Sequence, residues 1–181
     1  MNKSTYVILL AATLAAGCVQ KKAERFTALP FPDITLPSMI QSQQDAAEYY
    51  AVHYWDKMTD PERAYPSDSL LVSGVRKDDL EQKYANWIGV LDLVDLKTSE
   101  KAIKNLYDKA LVCEKKDGAS NVFETFEELA DKYMYNVNSP MRNEDFYGPY
   151  VAALSKCDLV EEDMRQAYAF DARMCELNRV G

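Results

Sequence analysis

Apolar residues recur at helical spacing from about residue 43 to residue 178, and this pattern predicts the main elements of the chain. Between residues 43 and 58, one apolar stripe repeats every three or four positions and predicts a first helix with a single buried face. Its members are Ala47, Tyr50, Ala51, Tyr54, Trp55 and Met58. Comparable stripes predict helices over about 77–94, 98–114, 120–135 and 160–178. The stripe of the last helix places Met164, Ala167, Tyr168, Ala172 and Cys175 inward.

One more helix is expected after residue 143. Asn143 precedes Glu144 and Asp145, and acids suit the first turn of a helix. Pro149 weakens that start, so the regular part is expected to begin near Tyr147. Residues 59–76 form a long connection with one short helical turn over 68–72, and no segment shows convincing strand alternation. The predicted fold is all-α, an irregular bundle of five to six helices after a signal peptide and a proline-containing tether.

The first seventeen residues resemble an export signal. Lys3 supplies a positive charge, and an uncharged apolar run follows from Tyr6 to Ala16. Eleven helical residues span about 16 Å, which is too short for a bilayer core of about 30 Å. The segment therefore predicts a signal peptide rather than a membrane-spanning helix.

Small residues, Ala16 and Gly17, come directly before Cys18, and the segment resembles the lipobox of bacterial lipoproteins. The resemblance implies cleavage before Cys18 and acylation of its thiol, which would anchor the protein in a membrane. An ordinary secretory leader with a chance cysteine is the alternative. The expected organisation is a signal peptide over 1–17, a lipidated tether over 18–37 and a helical domain over 38–181. Val19 follows the cysteine where aspartate would favour the inner membrane, so we expect an outer-membrane lipoprotein of the cell envelope that faces the periplasm.

Charge and composition exclude some classes of partner. The chain has 21 basic and 29 acidic residues, a net charge of −8, which gives no electrostatic footprint for nucleic acid. The apolar content of 48% argues against a disordered chain. The mature length suits one domain with its own core.

Three cysteines besides Cys18 bear on possible chemistry. Cys113, Cys157 and Cys175 form no C-x-x-C pair, and His53 is the only histidine, so neither a dithiol redox motif nor a zinc site is predicted. We expect no metal and no cofactor. If neighbouring helices alternate in direction, Cys113 and Cys157 lie at the same end of the bundle and could form a disulfide. The alternative is that all three are small buried apolar residues.

Three places carry candidate binding residues. His53 lies at the edge of the first stripe with Asp56 three positions on, which is also an ordinary helical pair. Arg142 and Asn143 stand in a loop that enters a helix, where an anion could bind, or where Asn143 caps the helix and Arg142 pairs with a carboxylate. Trp55 belongs to an aromatic set that would line a groove or fill the core.

Three segments carry a resemblance to a known family. The segment YMYNVNSPMRNEDFY over 133–147, the segment YYAVHYWD over 49–56 and the closing NRVG over 178–181 resemble motifs of a helical domain of unknown function in lipoproteins of Bacteroides-like bacteria. In that family the helical domain often precedes a thioredoxin-like domain, and we expect that domain to be missing here. The resemblance implies a role beside envelope thiol–disulfide chemistry, and its motifs carry no known catalytic residue.

We therefore expect a membrane-anchored lipoprotein whose helical domain binds or positions an envelope protein partner and is not itself an enzyme. One alternative is a truncated thiol–disulfide oxidoreductase without its catalytic domain. A second alternative is an unrecognised helical hydrolase that uses His53.

Overall fold

The computed structural model describes residues 26–63, 65 and 67–179, and these residues form six helices and one small β-hairpin. The all-α prediction is confirmed. The predicted signal peptide and Cys18 lie outside the described residues. A π-helical turn, Asp131–Tyr135, continues the fourth helix. The elements are α1 (Gln43–His53), β1 (Leu71–Val72), β2 (Val75–Arg76), α2 (Lys77–Leu91), α3 (Leu96–Lys116), α4 (Val122–Ala130), α5 (Glu144–Leu154) and α6 (Glu162–Asn178).

Side-chain caps fix where several helices begin. The Ser42 hydroxyl accepts a hydrogen bond from the Asp45 amide at 3.0 Å, which starts α1. The start of α3 was predicted near residue 98, but the Asp95 carboxylate accepts a hydrogen bond from the Thr98 amide at 2.7 Å and the helix begins at Leu96. The cap is therefore Asp95, and α3 begins earlier than the sequence predicted.

The hairpin replaces the short helical turn expected over residues 68–72. Its strands pair Leu71 with Arg76 and Val72 with Val75. Ser73 and Gly74 connect them with φ angles of 47° and 81°, the left-handed pair that a tight two-residue hairpin requires. A Cβ at position 74 would also lie 3.0 Å from the Tyr65 Cβ. Strands of two residues are too short to display alternation, so the sequence pattern did not indicate them.

The packed domain begins before residue 38, within the segment assigned to the tether. The Leu29 amide donates to the Gly74 carbonyl at 2.8 Å, and Leu29 forms a parallel bridge with Val75. Phe31 is buried and meets Trp55 edge to face, with ring centroids 5.4 Å apart. Residues 29–31 therefore belong structurally to the helical domain.

An aromatic core lies between α1, α2, α3 and α4. Trp87 is fully buried, and its indole N–H donates to the Ala51 carbonyl at 2.8 Å. The Tyr107 hydroxyl donates to the Phe126 carbonyl at 2.9 Å and lies 3.0 Å from the Tyr84 hydroxyl. These bonds satisfy polar groups that burial would otherwise penalise.

Helix α5 begins at Glu144, three residues earlier than the sequence predicted. The Asn143 side chain accepts from the Asp145 amide at 2.9 Å and caps the helix, as expected. Pro149 sits inside the helix rather than at its start. Because proline has no amide hydrogen, the Asp145 carbonyl lacks its usual partner four residues on.

Helix α6 packs on the domain through one narrow face. Tyr168 and Cys175 are buried and Ala172 is half-buried, as predicted. Met164 and Ala167, also predicted inward, are exposed. None of the helices in the described ranges combines the length and the apolar character needed to cross a membrane.

Candidate functional site

A groove of about 1150 Å³ lies where α3 and α6 both pack against α5. Helix α5 lines it with Gly148, Pro149, Ala152 and Ala153, residues too small or too short to fill the space, and with the buried Leu154 at its end. A Cβ on Gly148 would lie 3.1 Å from the Cys175 Cβ, so glycine permits the close approach of α5 and α6. The groove is therefore a consequence of small residues on the central helix.

Ion pairs close the two ends of this groove. At one end, Arg179 after α6 contacts Glu100 near the start of α3 at 2.8 Å. At the other end, Lys115 near the end of α3 contacts Asp158 after α5 at 2.8 Å. The start of α3 therefore lies beside the end of α6, and so does the start of α5, where Glu144 accepts a hydrogen bond from Asn178. From Glu100 to Lys115, α3 rises about 22 Å, which gives the length of the groove.

Basic side chains predominate along the rim. Six basic and four acidic residues line the groove, in a protein whose net charge is −8. Lys104 pairs with Asp108, and the two end pairs occupy Lys115 and Arg179. The remaining three cations, Lys97, Lys101 and Lys156, are exposed and make no ion pair with any residue that the structure describes.

Arg179 also donates a hydrogen bond to α5. Its guanidinium donates from Nη2 to the Asp145 carbonyl at 2.7 Å, and its Nε lies 2.7 Å from the Asp145 carboxylate. The carbonyl is the one that Pro149 leaves without a helical donor. Arg179 therefore holds the end of α6 to the start of α5 and to α3.

The three described cysteines are free thiols, so the bridge considered between Cys113 and Cys157 is not formed. The Cys113 thiol instead donates to the Thr59 carbonyl at 3.3 Å. Cys157 and Cys175 line the groove. Burial raises the pKa of the Cys113 and Cys175 thiols, which keeps them in the less reactive protonated form.

His53 lies at the end of α1 and is not among the residues that line the groove. Its Nδ1 is 2.8 Å from the Asp56 carboxylate, and the Lys109 ammonium lies 2.5 Å from the same carboxyl group. Tyr49 stacks near the imidazole with ring centroids 4.5 Å apart. Ion pairing and aromatic packing account for each of these side chains.

Trp55, Arg142 and Asn143 also take structural positions. Trp55 is only 3% exposed, so it is part of the core and not of an open groove. Arg142 pairs with Glu144 at 3.1 Å, while Asn143 caps α5. The structure does not bring His53, Trp55 and Arg142 together in one site.

Two carboxyl groups meet where α3 ends and α4 begins. Burial and the neighbouring Glu124 raise the pKa of Glu114 to about 7. One carboxyl oxygen of Glu114 is buried and has no donor among the described residues. The helix dipoles favour negative charge on Glu124 in the first turn of α4 and disfavour it on Glu114 in the last turn of α3. When Glu114 is protonated, its carboxyl group carries its own hydrogen-bond donor, and the buried oxygen no longer needs one from another residue.

The outward face of α6 is apolar and unpartnered within the described chain. Phe170 is 63% exposed and Leu177 58% exposed, and Met174 lies between them. With Ala167 they follow the i, i+3, i+7, i+10 spacing, a stripe almost opposite to the buried face through Tyr168 and Cys175. We call Ala167, Phe170, Met174 and Leu177 the outer stripe.

Sequence reasoning missed both the groove and the outer stripe. The lysines at 97, 101 and 104 do recur at helical spacing on α3, a signal that was visible but typical of any solvated helix face. The small residues of α5 become meaningful only when α3 and α6 are seen on either side. Helix α6 has two apolar stripes, and the sequence alone does not show which of them is buried against α5.

Comparison with known proteins adds two findings and one absence. No curated protein matches the chain. The chain is similar to a solved thioredoxin-like protein from Bacteroides caccae, with 29% sequence identity and a TM-score of 0.67 over 83% of this chain and 49% of that one. This chain thus spans about half the length of that protein. The model of a domain of unknown function, DUF5106, matches residues 13–178, so the chain belongs to the DUF5106 family.

Proposed function

We propose that this chain is a membrane-anchored envelope lipoprotein whose helical domain positions a thioredoxin-like protein and performs no catalysis itself. The observation that carries the proposal is the outer stripe of α6, an apolar face on an element that is held rigidly at its end. The partner is a thioredoxin-like domain on another polypeptide.

The exposed area of the outer stripe supports a docking role. Large apolar side chains such as Phe170 and Leu177 rarely stand together on the free surface of a soluble protein without a partner. Aromatic and methionine side chains are also enriched in the centres of protein interfaces. The stripe offers Phe170 and Met174 side by side, one helical turn apart.

The contacts of Arg179 support a positioning role. Three contacts, with Glu100 on α3 and with the carbonyl and carboxylate of Asp145 on α5, fix the end of α6 against two other helices. A helix held in this way presents its outer stripe in one orientation. A rigid platform reduces the entropy lost when a partner docks.

The family relationship indicates the class of partner. The solved relative is named as a thioredoxin-like protein, and about half of its length lies outside the part that resembles this chain. We infer that a thioredoxin-like fold occupies that remaining half. The same kind of domain is then the natural occupant of the outer stripe here.

The anchor in this proposal is the acylated thiol of Cys18, in the outer membrane and facing the periplasm. Growth of the producing bacterium with an alkyne analogue of palmitate tests this step. We expect label on the wild-type protein and none on Cys18→Ala, which should also leave the membrane fraction. If the wild-type protein is not labelled, Cys18 is not acylated and the proposed anchor is wrong.

Docking is tested by changing the outer stripe in the tagged full-length protein. After crosslinking in the envelope, mass spectrometry should identify a C-x-x-C thioredoxin-like protein with the wild-type bait, and the double variant F170D/M174D should lose it. Val137→Asp is the matched control because Val137 is 76% exposed and belongs to the loop before α5 rather than to α6. Retention of the thioredoxin-like protein by F170D/M174D, or equal loss with the control, would refute docking through this stripe.

A further inference from the structure

We infer that the groove over α5 binds an acidic amphipathic helix of a partner protein. This site is separate from the outer stripe and does not depend on the proposed function. The groove lies on the inner side of α6, between that helix and α3, whereas the outer stripe points away from both.

The shape of the groove fits a helix. Helices α3 and α6 pack on α5 without filling the space between them, and four of the five α5 residues that line it are Gly148, Pro149, Ala152 and Ala153, with Leu154 the fifth. Small residues on a central helix let another helix approach closely, and packed helices lie about 8–10 Å apart. The distance of about 22 Å between the end pairs accommodates about four helical turns.

The charges of the rim select an acidic ligand. Lys97 and Lys101 stand near one end and Lys156 near the other, and none of the three pairs with a carboxylate that the structure describes. A helix with an apolar face on α5 would present its flanking carboxylates to these lysines. The acidic remainder of the protein surface makes this rim a distinct attractive region.

Free lysines at both ends favour a peptide over an anionic lipid or fatty acid. A fatty acid carries one negative charge at one end of its chain, and it would satisfy only one end of the rim. The groove is also partly open to solvent, which would leave part of an acyl chain in water. A helix tolerates that exposure because its outer face is polar.

The test uses a fluorescein-labelled peptide of about four turns with leucine on one face and glutamate on the others, titrated with the purified helical protein and followed by anisotropy. A peptide of the same design with lysine in place of glutamate is the charge control. We expect saturable binding of the glutamate peptide only, weakened severalfold when salt rises from about 0.05 to 0.5 M.

Variants locate the binding on the protein. K101E/K156E should weaken binding by at least about tenfold, since it reverses two of the attractive charges. Ala153→Trp, which fills the groove, should have a comparable effect. Arg173→Glu is the matched charge reversal on α6 outside the groove lining and should change the affinity less than about twofold. Circular dichroism establishes that each variant is folded.

Three results would overturn the inference. The first is equal binding of the glutamate and lysine peptides. The second is an unchanged affinity in the folded K101E/K156E variant. The third is displacement of the probe by oleate at concentrations below its micellar range with no effect of the charge reversals, which would identify a fatty acid site.

Discussion

Replacement of Arg179 by alanine tests the link between Pro149 and the end of α6. Arg179 donates to the Asp145 carbonyl, which Pro149 deprives of a helical donor, and it pairs with Glu100 and with the Asp145 carboxylate. A hydrogen bond from a charged donor contributes about 1.5–3 kcal/mol, and a partly exposed ion pair contributes up to about 1 kcal/mol. Because the Arg179 side chain is 27% exposed, we take the lower part of that range.

The expected loss for Arg179→Ala is about 2 kcal/mol in the free energy of unfolding. For a domain of this size that corresponds to a decrease in Tm of about 4–8 °C. Arg173→Ala is the control, since Arg173 is exposed on the same helix and contributes no ion pair in the described part of the chain. Its unfolding free energy should stay within about 0.5 kcal/mol of wild type.

A double-mutant cycle with Pro149→Ala isolates the carbonyl contact. Alanine at position 149 restores an amide hydrogen four residues after Asp145, so the carbonyl no longer depends on Arg179. We expect Arg179→Ala to cost about 1 kcal/mol less in that background than in the wild type. Urea denaturation of the four proteins at neutral pH gives the coupling energy. A coupling below about 0.3 kcal/mol would refute the proposed relation between Pro149 and Arg179.

Two further predictions concern buried polar groups. The pKa of Glu114 is raised from an ordinary 4.5 to about 7, so the stability of the wild type should fall by about 1 kcal/mol as pH rises from about 4.5 to 7, a value that allows for the partial exposure of the group. Glu114→Gln should flatten this pH dependence and should be more stable than the wild type at pH 8. If the variant keeps the pH dependence of the wild type, the pair of Glu114 with Glu124 is excluded as its cause. Tyr107→Phe leaves the Phe126 carbonyl without its side-chain donor and should cost about 1–3 kcal/mol. Tyr84→Phe should cost less, because it removes hydroxyl contacts with the Tyr107 hydroxyl and the Met134 sulfur and leaves no carbonyl without a donor. If the two variants lose the same free energy of unfolding in chemical denaturation, the hydrogen bond from Tyr107 to the Phe126 carbonyl is not the more important of these contacts.

Much of the fold followed from hydrophobic periodicity because most helices bury one apolar face. The stripe through Tyr50, Ala51 and Trp55 predicted the first helix, although the regular helix ends at His53 and the chain reaches Met58 through turns. The hairpin at Ser73 and Gly74 was not predicted, since its conformation depends on two positive φ angles and on Leu29 packing beside it.

The candidate sites were harder to predict, because they depend on contacts between distant segments. Asn143 was correctly predicted to cap a helix, a property local to a few residues. The role of Arg179 depends on the Asp145 carbonyl, which Pro149 leaves without a helical donor and which lies 34 residues earlier, and no local pattern contains that information. The outer stripe likewise became visible only when Tyr168 and Cys175 were found to define the buried face of α6.

Site-specific photo-crosslinking in the living cell tests most directly whether the outer stripe of α6 docks a thioredoxin-like protein. A photoreactive amino acid at Phe170 should give a crosslink whose partner peptides come from a thioredoxin-like domain, while the same amino acid at Val137 should not. Crosslinks from Phe170 that contain no thioredoxin-like peptide, or identical products from both positions, would contradict the account.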